Sequence, residues 1–199
     1  LFALLENVLF VEDPLQREHY HPRIEGFRTF VFERLNADER KAYERLHHVF
    51  YYERHNDFWR DSAMEKLPAL SNATAMLPCG EDLGMVPDCV PGVMEQLQLL
   101  TLEIERMPKA FGREFADVEA YPRRSVCSTG THDMATLRGW WAEDAARSAR
   151  YFFEVLGHGG EAPADAPAWL CEEIVRRHVD CPSMLCILPW QDWLSIDER

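Results

Sequence analysis

Three short polar motifs each follow a short apolar run: Cys79-Gly80-Glu81-Asp82-Leu83-Gly84, Thr131-His132-Asp133 and Gln191-Asp192. In parallel β/α folds the loops after the strands line a shared crevice, so an acid placed there points into it. Glu81 and Asp133 stand 133 − 81 = 52 positions apart, and only tertiary structure can make them neighbours. Two carboxylates in one cleft are the equipment of glycoside chemistry. One stays protonated as the general acid, and another stays ionised to stabilise an oxocarbenium-like transition state. Trp190 and Trp193 flank Gln191-Asp192 and are placed to form a platform under a sugar ring, or to pack in the core.

Blander readings stand beside each of these. Asp133 could be the N-cap of a helix starting at MATLRGWW. Gly80 and Gly84 could serve a turn around Glu81-Asp82. Glu81, His132 and Asp133 could instead be ligands of a metal-dependent barrel hydrolase, although their spacing alone says little for it. His19, His21, His47 and His48 have no third ligand at metal spacing and read as hydrogen-bonded or solvated. Trp140 and Trp141 are neighbours and cannot share one helix face, so at least one packs into the core.

The elements that must hold these residues change character along the chain. LENVLFVEDP is an apolar run closed by Asp13-Pro14, and EGFRTFVFERL suits a strand or a helix. From Asn36, an N-cap with Glu39 three residues on, about 30 residues run without Gly or Pro, and two helices with a break near His55-Asn56-Asp57 are expected. Residues 1–70 thus read as a mainly helical segment, either an insertion or outer packing helices. From about residue 71 strands alternate with helices. ATAMLPC, LLTLEIERM, RSVCSTGT and SMLCILPW are strands, with Leu100, Leu102 and Ile104 on one face of the second. CVPGVMEQLQ, a long helix from THDMATLRGWW to Gly157, and WLCEEIVRRHV are the helices. This order implies an α/β fold with a parallel sheet.

Composition narrows the partners. Lys+Arg number 21 against 34 Asp+Glu, a net charge of −13 on 199 residues. That argues against nucleic acid and against an anionic membrane surface. Hydrophobic residues at 47% are enough for a folded core, and no apolar run reaches the length of a membrane span. Residues 1–11 are apolar but lack a basic start and a cleavage site, so they are not read as a signal peptide. The six cysteines form no CxxC pair and read as reduced thiols of a cytoplasmic protein. Neither end looks like a native terminus.

Taken in order, MLPCGEDLGMVPDCVPGVMEQL, LEIERMPK, SVCSTGTHDMATLRGWW and MLCILPWQDWL resemble the 4-α-glucanotransferases of the amylomaltase family, glycoside hydrolase family 77. The wording is most similar to the branch that includes the plant cytosolic disproportionating enzyme and its bacterial relatives. The resemblance implies a (β/α)8 TIM barrel, of which residues 71–199 would form about strands five to eight. It implies transfer of α-1,4-glucan segments between maltooligosaccharides with retention of configuration. By the same resemblance Glu81 is the general acid/base and Asp133 the transition-state stabiliser. Asp82, His132, Gln191, Asp192 and Trp190 would contact substrate or lie beside it. No metal and no organic cofactor is implied. The partners are an α-1,4-glucan donor and a glucose or glucan acceptor. The family's nucleophilic Asp, in an Arg-x-Asp motif after the fourth strand, has no counterpart here, so the chain reads as a fragment that is inactive alone. A half barrel also leaves strand edges open to self-association. The alternative is a non-catalytic glucan-binding or oligomerising half barrel.

Overall fold

The computed structural model describes residues 7–197. Residues 1–6 of the apolar opening, and residues 198–199, lie outside the described part. The chain forms two compact units. One holds the residues up to Thr74 together with Val86–Val93, and the other holds Ala75–Met85 and the chain from Met94 onward.

In the first unit, β1 (Phe10–Glu12) pairs antiparallel with β2 (Tyr20–Pro22), Phe10 opposite Pro22. Asp13 closes the hairpin. Its carboxylate accepts from the Leu15 and Gln16 amides and pairs with His21 at 2.7 Å. EGFRTFVFERL resolves as a 3-10 turn and a short helix, α1 (Phe30–Arg34), capped by Thr29. The expected cap at Asn36 is a full capping box: Asn36 accepts from the Glu39 amide, and Glu39 accepts from the Asn36 amide. It starts α2 (Ala37–His48). The expected break near His55 does not occur. A π-helical turn, Val49–Arg54, carries the chain directly into α3 (His55–Asn72), which runs on through Pro68.

The buried anchor of this unit is Tyr43. Its hydroxyl donates to the Arg23 carbonyl at 2.8 Å, with the Leu9 carbonyl at 3.2 Å, and its ring meets Phe10, Phe27 and Phe32 edge-on. A Cβ on Gly26 would stand 1.8 Å from that hydroxyl oxygen. Gly26→Ala is therefore expected to cost about 1–3 kcal/mol by overpacking, visible as a lower Tm.

In the second unit, β3 (Thr101–Ile104), β4 (Ser125–Ser128) and β5 (Leu185–Cys186) form a parallel sheet in that order. A parallel bridge from Cys79 to Leu100 adds a fourth extended segment on the β3 side. Order in space follows order in the chain. ATAMLPC shrinks to the one bridge at Cys79, and SMLCILPW to two strand residues, because each lies at an edge of the sheet. All four β4 residues are buried, as expected for a parallel strand covered on both faces.

The remaining helices are α4 (Val90–Gln96), whose first turn belongs to the first unit, and α5 (Leu137–Glu143), α6 (Ala145–Arg150), α7 (Ala168–Val179) and α8 (Trp190–Leu194) of the second. The long helix expected up to Gly157 is broken. Asp144 takes extended backbone, φ −146° and ψ 98°, and its side chain caps α6 by accepting from the Arg147 amide. Beyond α6 a π-helical turn, Tyr151–Val155, leads to Gly157 at φ 71°. Trp140 and Trp141 are both buried, in a core with Leu137, Tyr151, Phe152, Leu170 and Ile174. Neighbouring helical residues diverge by about 100°, so burying both means that α5 is covered on two sides.

Candidate active site

Because the strands are parallel, the segments that follow Cys79, β4 and β5 all leave the same edge of the sheet. Those segments carry Glu81-Asp82, His132-Asp133 and Trp190-Gln191-Asp192. Across the three segments, Glu81 and Asp133 turn outward, while Asp82 and Asp192 turn in.

Glu81 is exposed, whereas Asp82 is buried. Both Asp82 oxygens are occupied by the protein. One accepts from the Leu102 amide of β3 at 2.9 Å, and the other pairs with Lys109 at 2.8 Å. The same ammonium reaches Glu103 at 2.7 Å, and Thr101 donates to that carboxylate as well. Expected to touch substrate, Asp82 instead fastens the loop carrying Glu81 onto β3. Lys109→Met leaves two buried carboxylates without their shared cation. The expected loss is roughly 2 kcal/mol, moderated by the partial exposure of Lys109. A denaturant midpoint within error of the unsubstituted protein would contradict it.

His132 and Asp133 stand in solvent, with side chains 87% and 80% exposed and 3.2 Å between Nε2 and Oδ2. Asp133 does not cap the next helix. Thr136 does, accepting from the Gly139 amide. The capping alternative is thus excluded, and the carboxylate is not spent on the backbone.

The root of this loop is clamped from two sides. Asp192, 1% exposed, accepts from the Thr129 hydroxyl at 2.6 Å and from the Leu137 amide at the start of α5 at 2.7 Å. Arg106 donates to the Thr129 carbonyl at 2.7 Å and the Ala135 carbonyl at 3.1 Å, with its guanidinium 5.2 Å from the centre of the Trp140 ring. Burial draws the Arg106 pKa below its usual value, and the Asp192 charge opposes that shift. Gly130 permits the close approach: a Cβ there would lie 2.3 Å from an Arg106 nitrogen. Asp192, expected beside the substrate, thus has both carboxylate oxygens bonded to the loop it holds.

A cleft of about 430 Å³ lies between the ends of β4 and β5, lined by Gly130, His132, Met134, Leu188 and Gln191 among others. Gln191 is exposed on its rim, and Trp190 is 69% exposed. The core alternative for Trp190 fails, so its ring is available to a ligand. Among the described residues no group of three His, Cys, Asp or Glu is arranged to hold a metal ion.

Sequence reasoning missed Lys109, Glu103, Arg106 and Thr129. A signal for the first three was present. LEIERMPK places acids at alternate positions of a strand that parallel pairing buries on both faces, and buried acids require cationic partners. Glu105, also buried, takes the Tyr151 hydroxyl and lies 3.4 Å from Arg177.

Known proteins are similar to this chain in sequence and in fold. A family described as 4-alpha-glucanotransferase matches residues 19–199. The rice (Oryza sativa subsp. japonica) 4-alpha-glucanotransferase DPE2 is 38% identical over all 199 residues, and the chain spans 21% of that relative's length. The 4-alpha-glucanotransferase of Chlamydia muridarum is 37% identical over 99 residues, covering 49% of this chain and 19% of that protein. In fold, the chain is similar to the amylomaltase from Streptococcus agalactiae solved in complex with acarbose. The TM-score is 0.51 at 18% identity, over 66% of this chain and 26% of that one. With the family matched across residues 19–199, the chain belongs to the 4-alpha-glucanotransferases of glycoside hydrolase family 77.

Proposed function

We propose that the polypeptide carrying this segment is a retaining 4-α-glucanotransferase, with Glu81 as its general acid/base and Asp133 as its transition-state stabiliser. The observation that carries this reading is the exposed pair of motifs at one edge of a parallel sheet, Glu81 after Cys79 and His132-Asp133 after β4. Each outward acid has an inward neighbour or clamp that holds its loop.

In this mechanism Glu81 protonates the glycosidic oxygen while a carboxylate attacks C1. Glu81 then takes the proton of the incoming 4-hydroxyl as the acceptor sugar displaces the enzyme. Asp133 hydrogen-bonds the distorted donor ring and offsets its developing positive charge. His132, Gln191 and Trp190 contact the glucan. Asp82 and Asp192 act one step back, as positioning residues. Retention requires two carboxyl groups about 5–5.5 Å apart, and another segment of the polypeptide supplies the nucleophile. Residues 7–197 alone are therefore expected not to turn over. The sheet is read as an arc of a (β/α)8 barrel, residues 71–199 forming its second half. Its parallel strands in chain order and its likeness to amylomaltase support this. Open strand edges would let the isolated segment self-associate. The compartment is read as the cytoplasm, since all six cysteines are free thiols, and no described helix is long and apolar enough to cross a membrane.

The test uses the full-length protein with a maltooligosaccharide and isotopically labelled glucose. Labelled, α-linked chains of several lengths should form, and a chelator should not slow them. Net release of glucose without labelled oligosaccharide would mean hydrolysis and overturn the transferase assignment. Loss of activity on chelation would return Glu81, His132 and Asp133 to the metal reading.

A further inference from the structure

Three of the six cysteines gather behind the sheet, away from the residues assigned to sugar chemistry. Cys127 lies in β4, fully buried, and pairs in register with Cys186 of β5. Cys181 lies in the short connection between α7 and β5. Its Sγ is 3.3 Å from the Sγ of Cys127 and donates to it. Cys127 in turn is 3.3 Å from the His178 carbonyl. Val118 and Tyr121 close the apolar side of this cluster. Two sulfurs at 3.3 Å are already in contact, and a disulfide of about 2.0 Å needs a further approach of only about 1.3 Å.

Cys127 is closed to solvent, whereas Cys181 and Cys186 are half-buried. Cys181 is half-buried and lines a cleft of about 690 Å³, together with Trp169, Arg176, Arg177 and Asp180. A small oxidant in that cleft meets Cys181 first, and Cys127 only through it. The segment holding Cys181 is tethered to β4's neighbours, since Arg123 donates to the Pro182 and Ser183 carbonyls and Ser183 meets the Ser125 hydroxyl at 2.7 Å. The two thiols are thus held together rather than met by chance.

We propose that Cys181 and Cys127 form a thiol-modification site that converts hydrogen peroxide into a reversible disulfide, Cys181 as the entry thiol and Cys127 as the resolving one. In the first step Cys181 sulfur attacks a peroxide oxygen, the O–O bond breaks, and one water leaves, with Cys181 oxidised to the sulfenic acid. In the second step Cys127 sulfur attacks that of Cys181. The S–S bond forms, the S–O bond breaks, and hydroxide leaves with the Cys127 proton as the second water. Two thiols and one peroxide give one disulfide and two waters. Cys127 donates its single proton to the His178 carbonyl. That bond points the Cys127 proton away from Cys181, leaving its lone pairs facing the sulfur it attacks. The site does not depend on glucan transfer, so its test does not either.

The full-length reduced protein is treated with equimolar hydrogen peroxide, its remaining thiols are alkylated, and its digest is mapped by mass spectrometry without reduction. A peptide linking Cys127 to Cys181 should appear in most molecules and vanish with dithiothreitol. Cys79→Ser, which removes an exposed thiol outside the cluster, should leave it unchanged. In Cys127→Ser the Cys181 sulfenic acid should persist and be trapped by dimedone. Unlinked alkylated Cys127 and Cys181 after treatment, or a linkage of Cys181 to Cys186, would overturn the proposal.

Discussion

Glu81→Gln in the full-length protein is expected to lower kcat at least about 10²-fold, the ordinary scale of a positioned proton donor, while KM changes little. The substitution keeps shape and hydrogen-bonding size but removes the proton that the leaving oxygen must receive. Glu81 is exposed, so folding should be unaffected, and an unchanged Tm separates lost chemistry from lost structure. The role also makes a narrower claim. A donor sugar with a good leaving group, such as a glycosyl fluoride, needs little acid help in the first step. Azide as acceptor needs no base in the second. Both together should recover much of the lost rate. Near-normal turnover on maltooligosaccharides would remove Glu81 from the mechanism, and failure of the fluoride and azide to help would make it a binding residue.

Asp192→Ala is expected to lower stability by about 3 kcal/mol, because it strands the Thr129 hydroxyl and the Leu137 amide in the interior. Each unsatisfied buried donor costs about 1–3 kcal/mol. It also removes the nearby negative charge that opposes the desolvation of Arg106. The activity loss should exceed what the folded fraction explains, since the loop bearing His132 and Asp133 loses one of its two clamps. Thr129→Val removes one donor while the other Asp192 oxygen keeps the Leu137 amide, and should cost only about 1 kcal/mol. Equal effects of the two substitutions would argue against the clamp. So would an Asp192→Ala protein whose kcat is unchanged once its folded fraction is counted.

Some of this was legible in the residues themselves. The Asn36–Glu39 capping box and the helix over WLCEEIVRRHV depend on neighbours three or four positions away, and the strands in LEIERM and RSVCS show in their apolar, β-branched runs, although their pairing partners lie far along the chain. The order of motifs likewise carried the family membership. What spacing could not report was which of the four carboxylates in these motifs face out. Asp82 and Asp192 look as available as Glu81 and Asp133 in one dimension. Their burial is decided by Lys109, 27 residues on, and by Thr129, 63 residues back. The break at Asp144 was likewise invisible, because a run of good helix formers does not reveal that a side chain will bend back to cap a second helix.

The residue types alone thus determined the chemistry available to this protein, acids and aromatics placed after strands, since that is a property of side chains and local grammar. Only the tertiary structure decided which acids meet solvent and which are consumed as anchors, and that two distant cysteines share one contact. A side chain's role depends on who occupies its other valences, and those partners arrive from elsewhere in the chain.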